Sequence, residues 1–251
     1  MPENAERAAV LLFEARRGGN RLADLPEELR PSDLAQAYAI QDAVLRRLGP
    51  AGGWKVGPGR DGAPFNCARI GAAQIHRSPA RLDMAEVPDA EIEVEVAVTL
   101  AHDLPPRPEG YGPEDLRRAV AALHPAIEIV SSRFVRRQAV SRLTAIADAQ
   151  SCGAVVLGEG MADWQGFAPE AAGASLRLDG AEAATAEGQG SVEAMLSALS
   201  WLANHAAERT GGLRQGEVVI TGARLGPWPC GAAKQAEAGI AGLGDVAFSF
   251  R

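Results

Sequence analysis

Apolar residues recur at helical spacing near the start of the chain and in short strand-like runs over the rest. Ala8, Leu11, Leu12 and Ala15 predict a helix over 5–18, stopped by Gly18-Gly19. Pro31-Ser32-Asp33 offers a second helix start, and Ala35, Tyr38, Ala39, Val44 and Leu45 carry the stripe to Gly49-Pro50. After Gly52-Gly53 the texture changes. Apolar runs bounded by Gly and Pro predict strands at 54–56, 91–100, 126–130, 154–157, 176–178, 218–221 and 246–250. Between them, 113–122 reads as helix, with Pro113 in the first turn and Glu114-Asp115 suited to its amino-terminal dipole. Residues 191–210 predict a late helix through Met195, Leu196, Leu199 and Leu202, ending at Gly211-Gly212. The alanine- and glycine-rich stretch 168–190 reads as a loop-rich excursion. Strands that cluster without strict βαβ alternation point to an α+β roll or barrel, not a doubly wound sheet. The expected organisation is a helical segment over 1–52 and a mixed β-roll over 53–251.

Composition narrows the function classes. Net charge is −7, aromatics are 5% and basic residues do not cluster, so there is no electrostatic footprint for nucleic acid. No run approaches the roughly 20 apolar residues of a membrane span. The opening Met-Pro-Glu-Asn-Ala-Glu lacks a basic region followed by an apolar core, which leads to the expectation of a cytoplasmic protein. Cys67, Cys152 and Cys230 are widely spaced with no CxxC pair, against a disulfide framework or a zinc site.

Candidate chemistry begins with Glu91, Glu93 and Glu95. Successive strand residues face opposite ways, so these three share one face, with neighbours roughly 6–7 Å apart. Alone, the pattern fits a solvated acidic face equally well. Glu128 shifts the balance, because Pro125-Ala126-Ile127 and Ile129-Val130 surround it and a carboxylate in so apolar a segment is rarely buried unpaired. Three carboxylates suit a hard cation such as Mg²⁺ or Mn²⁺. Lys55, framed by Gly-Gly-Trp and Val-Gly, is either a surface lysine or an inward cation. Arg133 fits a solvated charge or a carboxylate clamp. Asp148-Ala149-Gln150-Ser151 is a polar loop before a strand, and Thr221-Gly222 a turn able to present N–H groups to an anion. His76, His102, His124 and His205 lack ligand spacing, no P-loop, dinucleotide fingerprint or nucleophile elbow is present, and Gly57-Pro58-Gly59 reads as a turn.

Taken in order, these segments resemble the fumarylacetoacetate hydrolase superfamily, in its branch of 2-keto-4-pentenoate hydratases and 4-oxalocrotonate decarboxylases. The resemblance rests on Gly-Trp-Lys-Val-Gly, Glu-Val-Glu-Val-Ala-Val-Thr-Leu, Pro-Ala-Ile-Glu-Ile-Val-Ser-Ser-Arg-Phe, Ala-Asp-Ala-Gln-Ser-Cys-Gly and Val-Val-Ile-Thr-Gly-Ala, and covers nearly the whole chain. It implies a mixed β-roll with a helical amino-terminal part, assembled as a homo-oligomer. It makes Glu93, Glu95 and Glu128 the Mg²⁺ or Mn²⁺ ligands and leaves Glu91 outside. Lys55 and Asp148 become catalytic residues, and Ser151, Thr221, Gly222 and Arg133 substrate contacts. The implied activity is a lyase acting on a small 2-oxo acid or 2-hydroxy-dienoate through a chelated enolate, with water addition in aromatic catabolism foremost. Decarboxylation, acylpyruvate C–C hydrolysis and a non-catalytic oxo-acid-binding paralogue are the alternatives. Two departures leave the general acid/base open. Residues 66–76 lack the acidic residue usual between the lysine and glutamate strands, and an Asp-Asn pair is replaced by Asp148-Ala149.

Overall fold

The alternating run from Glu91 to Leu100 forms a strand with those bounds, and the rest of the molecule is arranged around it. In the computed structural model, which describes residues 2–18, 20–58 and 65–251, this strand is β5 of twelve strands and five α-helices. The strands are β1 (Ala51–Pro58), β2 (Phe65–Gly71), β3 (Ile75–Arg77), β4 (Ala80–Leu82), β5 (Glu91–Leu100), β6 (Val120–Val130), β7 (Cys152–Leu157), β8 (Ala174–Leu178), β9 (Ala181–Ala186), β10 (Val218–Pro229), β11 (Gln235–Ile240) and β12 (Gly244–Phe250). The helices are α1 (Pro2–Arg16), α2 (Leu34–Leu48), α3 (Pro113–Ala119), α4 (Arg142–Ala147) and α5 (Val192–Thr210). Gly19 and Gly59 lie outside the described residues, so the expected helix stop and turn at those positions are covered only in part.

Seven strands form one sheet in the order β2-β1-β10-β5-β6-β7-β3, and five form a second in the order β4-β12-β11-β8-β9. Pairing is mixed, with β1 parallel to β10 and β3 parallel to β7 while β5 is antiparallel to both neighbours. This is the α+β mixed roll expected from the sequence.

On β5, Ile92, Val94, Val96 and Val98 are fully or almost fully buried. Each such side chain contributes roughly 1.5–3 kcal/mol when removed from water. That face fixes the register, because a one-residue slip would bring the glutamates into the core. The helical segment joins the same core through Ala8, Leu12, Leu25 and Ile40. It also holds the site-bearing sheet and α4 by polar contacts. Arg16 donates to the carbonyls of Cys152 (2.7 Å) and Gly153 (3.2 Å), and Gln41 donates to Ile146 O (2.8 Å). Asp33 caps α2 by accepting from Gln36 N at 2.8 Å.

Three expectations are corrected. The helix expected over 113–122 ends at Ala119, and Val120 opens β6. The excursion at 168–190 contains the β8–β9 hairpin, paired to β11. The strand expected to end at Thr221 runs on to Pro229 through several register shifts. In each case pairing with neighbouring strands overrides local composition.

Candidate active site

Antiparallel pairing sets Glu93 directly opposite Glu128, with Glu95 opposite Ala126. Like charges placed opposite each other destabilise a strand pair, so this arrangement needs positive charge nearby. Part of it comes from Lys55 on β1, whose Nζ lies 2.7 Å from Glu128 Oε1 and 3.9 Å from Glu93 Oε2. Lys55 thus reaches across the curl of the sheet, two strands from β5. Its side chain is 13% exposed, which settles it as an inward cation.

Burial alone would lower the Lys55 pKa, but attraction first to Glu128 and then to Glu93 outweighs it, so the ammonium keeps its proton firmly. Burial pushes the Glu93 carboxyl up to about 7, with Lys55 opposing the rise and Glu128 adding to it. Glu95 is raised well above the usual carboxylate range by burial and by the charge of Glu128. One oxygen of Glu95 is held by the Gly222 N–H at 2.7 Å, at a glycine whose φ of +108° few other residues adopt. Thr221 turns its hydroxyl to Val96 O at 3.1 Å and thereby ties β10 to β5.

Charge and hydrogen bonding both remain unbalanced. Glu95 Oε1 and Glu128 Oε2 are buried with no hydrogen-bond partner. Glu93, Glu95 and Glu128 each offer an oxygen within 4.8 Å of the others, the one such cluster of three possible metal ligands among the described residues. Buried carboxylate oxygens without partners converging on one point, beside Glu93 and Glu95 carboxyls whose pKa values are raised, are what a hard divalent cation relieves. The residues present therefore fit a divalent metal ion.

The remaining expected residues lie in a different network. Arg133 Nε donates to Asp148 Oδ1, and both side chains are almost completely buried. Asp148 Oδ2 accepts from Ser132 Oγ (3.0 Å) and Arg133 N (3.2 Å). The two Arg133 NH groups go to the carbonyls of Ser131, Cys152 and Asp148. Arg133 and Asp148 thus spend their hydrogen bonds on each other and on backbone, and neither belongs to the glutamate cluster. Ser151 lies beyond Asp148 in a run of left-handed residues, Ala149, Gln150 and Ser151 with φ of 48°, 51° and 65°. Its N–H donates to Asp148 O and its carbonyl accepts from Ser131 N. Glu91, the outermost rung of the ladder, pairs with Arg137 at 2.6 Å in the wall of a cavity of about 810 Å³ that includes none of Glu93, Glu95, Glu128 or Lys55.

Arg224 is the charged residue that sequence reading missed. It follows Gly222 on β10 and lies in the field of Glu95. Its signal was hidden because Thr221-Gly222 reads as the turn that ends a strand, whereas β10 runs on through it to Pro229.

A curled mixed sheet carrying three converging glutamates defines an α+β fold with a candidate metal centre. The structure superposes on the 4-oxalocrotonate decarboxylase from Pseudomonas putida G7, complexed with magnesium and adipate, with a TM-score of 0.86 at 20% identity, covering 100% of this chain and 98% of that one. The fumarylpyruvate hydrolase from Pseudomonas aeruginosa, in complex with Mn²⁺ and pyruvate, gives a TM-score of 0.53 at 14% identity, covering 78% and 88%. No protein-family model matches the sequence. The chain is 32% identical over 259 residues to the TodF product hydratase of Pseudomonas putida strain F1, covering 97% of this chain and 94% of the relative. It is 30% identical over 263 residues to the 2-keto-4-pentenoate hydratase of Paraburkholderia phymatum, covering 98% and 97%. The chain belongs to the 2-keto-4-pentenoate hydratase branch of the fumarylacetoacetate hydrolase superfamily. Among the described residues, no helix is long and apolar enough to cross a membrane.

Proposed function

We propose that the protein is a Mg²⁺- or Mn²⁺-dependent hydratase that adds water to a short 2-hydroxy-dienoate of aromatic-ring breakdown, working as a cytoplasmic homo-oligomer. Its relatives of similar length are named as hydratases of such acids. The observation that carries the reading is the convergence of Glu93, Glu95 and Glu128 with buried oxygens lacking partners beside a protonated Lys55.

Glu93, Glu95 and Glu128 would hold the cation. A divalent ion there supplies Lewis-acid stabilisation of charge developing on the 2-oxo oxygen of the substrate. The other contributions belong to the chain. Lys55 keeps its proton and places a fixed positive charge at the Glu93–Glu128 edge, where it favours an oxyanion over the neutral ground state. The Gly222 N–H holds one oxygen of Glu95, which orients the other. Thr221 holds Gly222 against β5 at the substrate side. Asp148 and Arg133 act by positioning: their closed network fixes the Ala149–Gln150–Ser151 turn and the start of β7, with Ser151 bordering the site. Residues 1–52 buttress the catalytic roll of 53–251 through the Arg16 and Gln41 contacts.

Purified protein with Mg²⁺ is expected to consume 2-hydroxypenta-2,4-dienoate, followed by loss of the dienol absorbance, and Glu93→Ala to abolish it. Unchanged turnover in Glu93→Ala would overturn the metal assignment. Decarboxylation remains the second reading, favoured by the TM-score of 0.86 to the decarboxylase fold. Release of CO₂ from a 4-oxalocrotonate-type substrate separates it from hydration.

A further inference from the structure

β2 presents a polar residue on the lysine's side of the sheet. In the β1–β2 pairing Lys55 lies opposite Ala68 and Gly57 opposite Asn66. Residues opposite each other share a face, and so do residues two apart on one strand, so Asn66, Ala68 and Ile70 lie on the Lys55 face. Ile70 packs there with Ala97, Ala126, Val218 and Ile220. Ala97 and Ala126 stand two places from Glu95 and Glu128, on the same face of β5 and β6. Cys67, between Asn66 and Ala68, turns the other way into the main core beside Tyr38. Asn66 is therefore on the glutamate side of the sheet, one same-face pair beyond Lys55 toward the end of β1.

Its side-chain amide is held at one end only. Nδ2 donates to Pro58 O at 2.9 Å. A carbonyl accepts and does not donate, so the nitrogen is fixed toward Pro58 and Oδ1 is the free end. Oδ1 is buried with no hydrogen-bond partner among the described residues, in a residue only 9% exposed. A buried acceptor without a donor is costly. There is also room beside it. A side chain built on Gly57, opposite Asn66, would meet no described atom within 4 Å, and Ala68 carries only a methyl group. Lys55 extends to Glu128 at 2.7 Å instead of filling that room. A water molecule suits both observations, because it gives one O–H to Oδ1 and keeps a lone pair for the substrate.

We propose that Asn66 is a positioning residue for hydration: its Oδ1 accepts an O–H of the water to be added and aims that water at the substrate carbon. The inference rests on the hydratase reading above and names a residue for the delivery of water. Residues 66–76 carry no acidic side chain, and an amide oxygen is too weak a base to replace one, so Asn66 orients the water and takes no proton. The step it serves acts on the 2-oxo-3-enoate tautomer of the substrate, formed by a proton shift from the 2-hydroxyl to C5. The water oxygen bonds C4 while the C3–C4 π pair shifts toward the 2-oxo oxygen. One proton then leaves the water and one bonds C3, so a single water is added and nothing is oxidised or reduced.

Two reactions of the Mg²⁺-loaded protein separate this role from that of the metal centre. One is hydration of 2-hydroxypenta-2,4-dienoate, followed by absorbance. The other is deuterium exchange at C3 of 2-oxopentanoate in D₂O, followed by NMR, which needs enolisation but no added water. Wild type is expected to catalyse both. Asn66→Ala is expected to lower kcat for hydration about 10- to 100-fold, the cost of a misplaced reactant, with KM and the exchange rate changed less than about threefold. Asn66→Ser, which keeps a shorter acceptor, should recover part of the loss. Hydration and exchange falling together in folded Asn66→Ala, or hydration unchanged, overturns the role of Asn66 and leaves the metal-centred reading standing. Wild type that exchanges but does not hydrate overturns the hydratase reading and this inference with it, and wild type that does neither overturns the metal-centred reading as well. A crystal structure of wild type with Mg²⁺ and oxalate decides the point without any variant. An ordered water within about 3.2 Å of Asn66 Oδ1 and facing the oxalate is expected, and its absence, or a protein donor in its place, overturns the proposal.

Discussion

Two charged clusters are buried a few residues apart along β6 and its exit, and they are satisfied to opposite degrees. In the Arg133–Asp148 cluster one cation meets one anion, and the fork, both carboxylate oxygens and three nearby carbonyls are all engaged. In the glutamate cluster three carboxylates meet one ammonium, and two buried oxygens have no partner. Glu95 and Glu128 are as deeply buried as Arg133 and Asp148, so burial alone does not distinguish the clusters. The first is closed by its own hydrogen bonds and shapes a turn. The second closes only when positive charge arrives from outside, and that imbalance is what makes it the candidate site.

The sharpest way to break the contrast is to remove a glutamate. Glu128→Gln is expected to cut kcat by about 10³-fold or more, since several kcal/mol of charge stabilisation is lost. Its melting temperature without metal should hold or rise, because a carboxylate opposed to Glu93 is gone. A clear fall in metal-free melting temperature would show that Glu128 serves structure. The converse change, Arg133→Met, strands Asp148 as a buried charge and should cost about 3–5 kcal/mol in urea unfolding. Protein that remains folded should still answer to Mg²⁺.

Metal addition gives the next effect. Mg²⁺ at about 100 times its dissociation constant should stabilise wild type by about 2.7 kcal/mol. Chelation should reverse this, and Glu95→Gln should blunt it while Asp148→Asn does not. The smallest effect lies outside both clusters. His124 is enclosed by Thr99 Oγ1 (2.8 Å) and Gly158 O (3.1 Å), and burial lowers its pKa below 6.5. The unfolded chain therefore takes up this proton first as pH falls below about 6.5, and stability declines through that window. His124→Asn should remove this one contribution to the slope, leaving those of His76 and His205 and the opposite-signed one of Glu93 and Glu95, whose raised values favour the folded state as pH falls.

The site was legible where chemistry and pattern coincide. Alternation over Glu91–Leu100 gave the strand and its acidic face, and Glu128 stood out against its apolar neighbours. What a sequence pattern does not carry is partnership across the sheet. Nothing local in Asp148 or Arg133 says that each is the other's counter-ion, so the residues alone leave Arg133 open between a solvated charge and a carboxylate clamp and Asp148 as part of a polar loop. β9 is built largely of alanines and β2 holds no alternating stripe, so each is a strand because a neighbour supplies its hydrogen bonds. Arg224 was hidden for the same reason, since a bulge is defined by its opposing strand.

The parallel pairing of β1 with β10 has a consequence for how the molecule comes into being. Lys55 lies beside Ile220 in that pairing, and the N–H that steadies Glu95 belongs to Gly222. Glu93, Glu95 and Glu128 are thus made by the middle of the chain, while the backbone that completes their surroundings is made only in the last part. A chain emerging from the ribosome carries the acidic residues long before it carries β10, and contacts spanning so much sequence form late in folding. The surroundings of the glutamates are therefore completed as a closing event: an unfinished chain offers loose carboxylates, and only the finished one holds Glu95 against the Gly222 N–H.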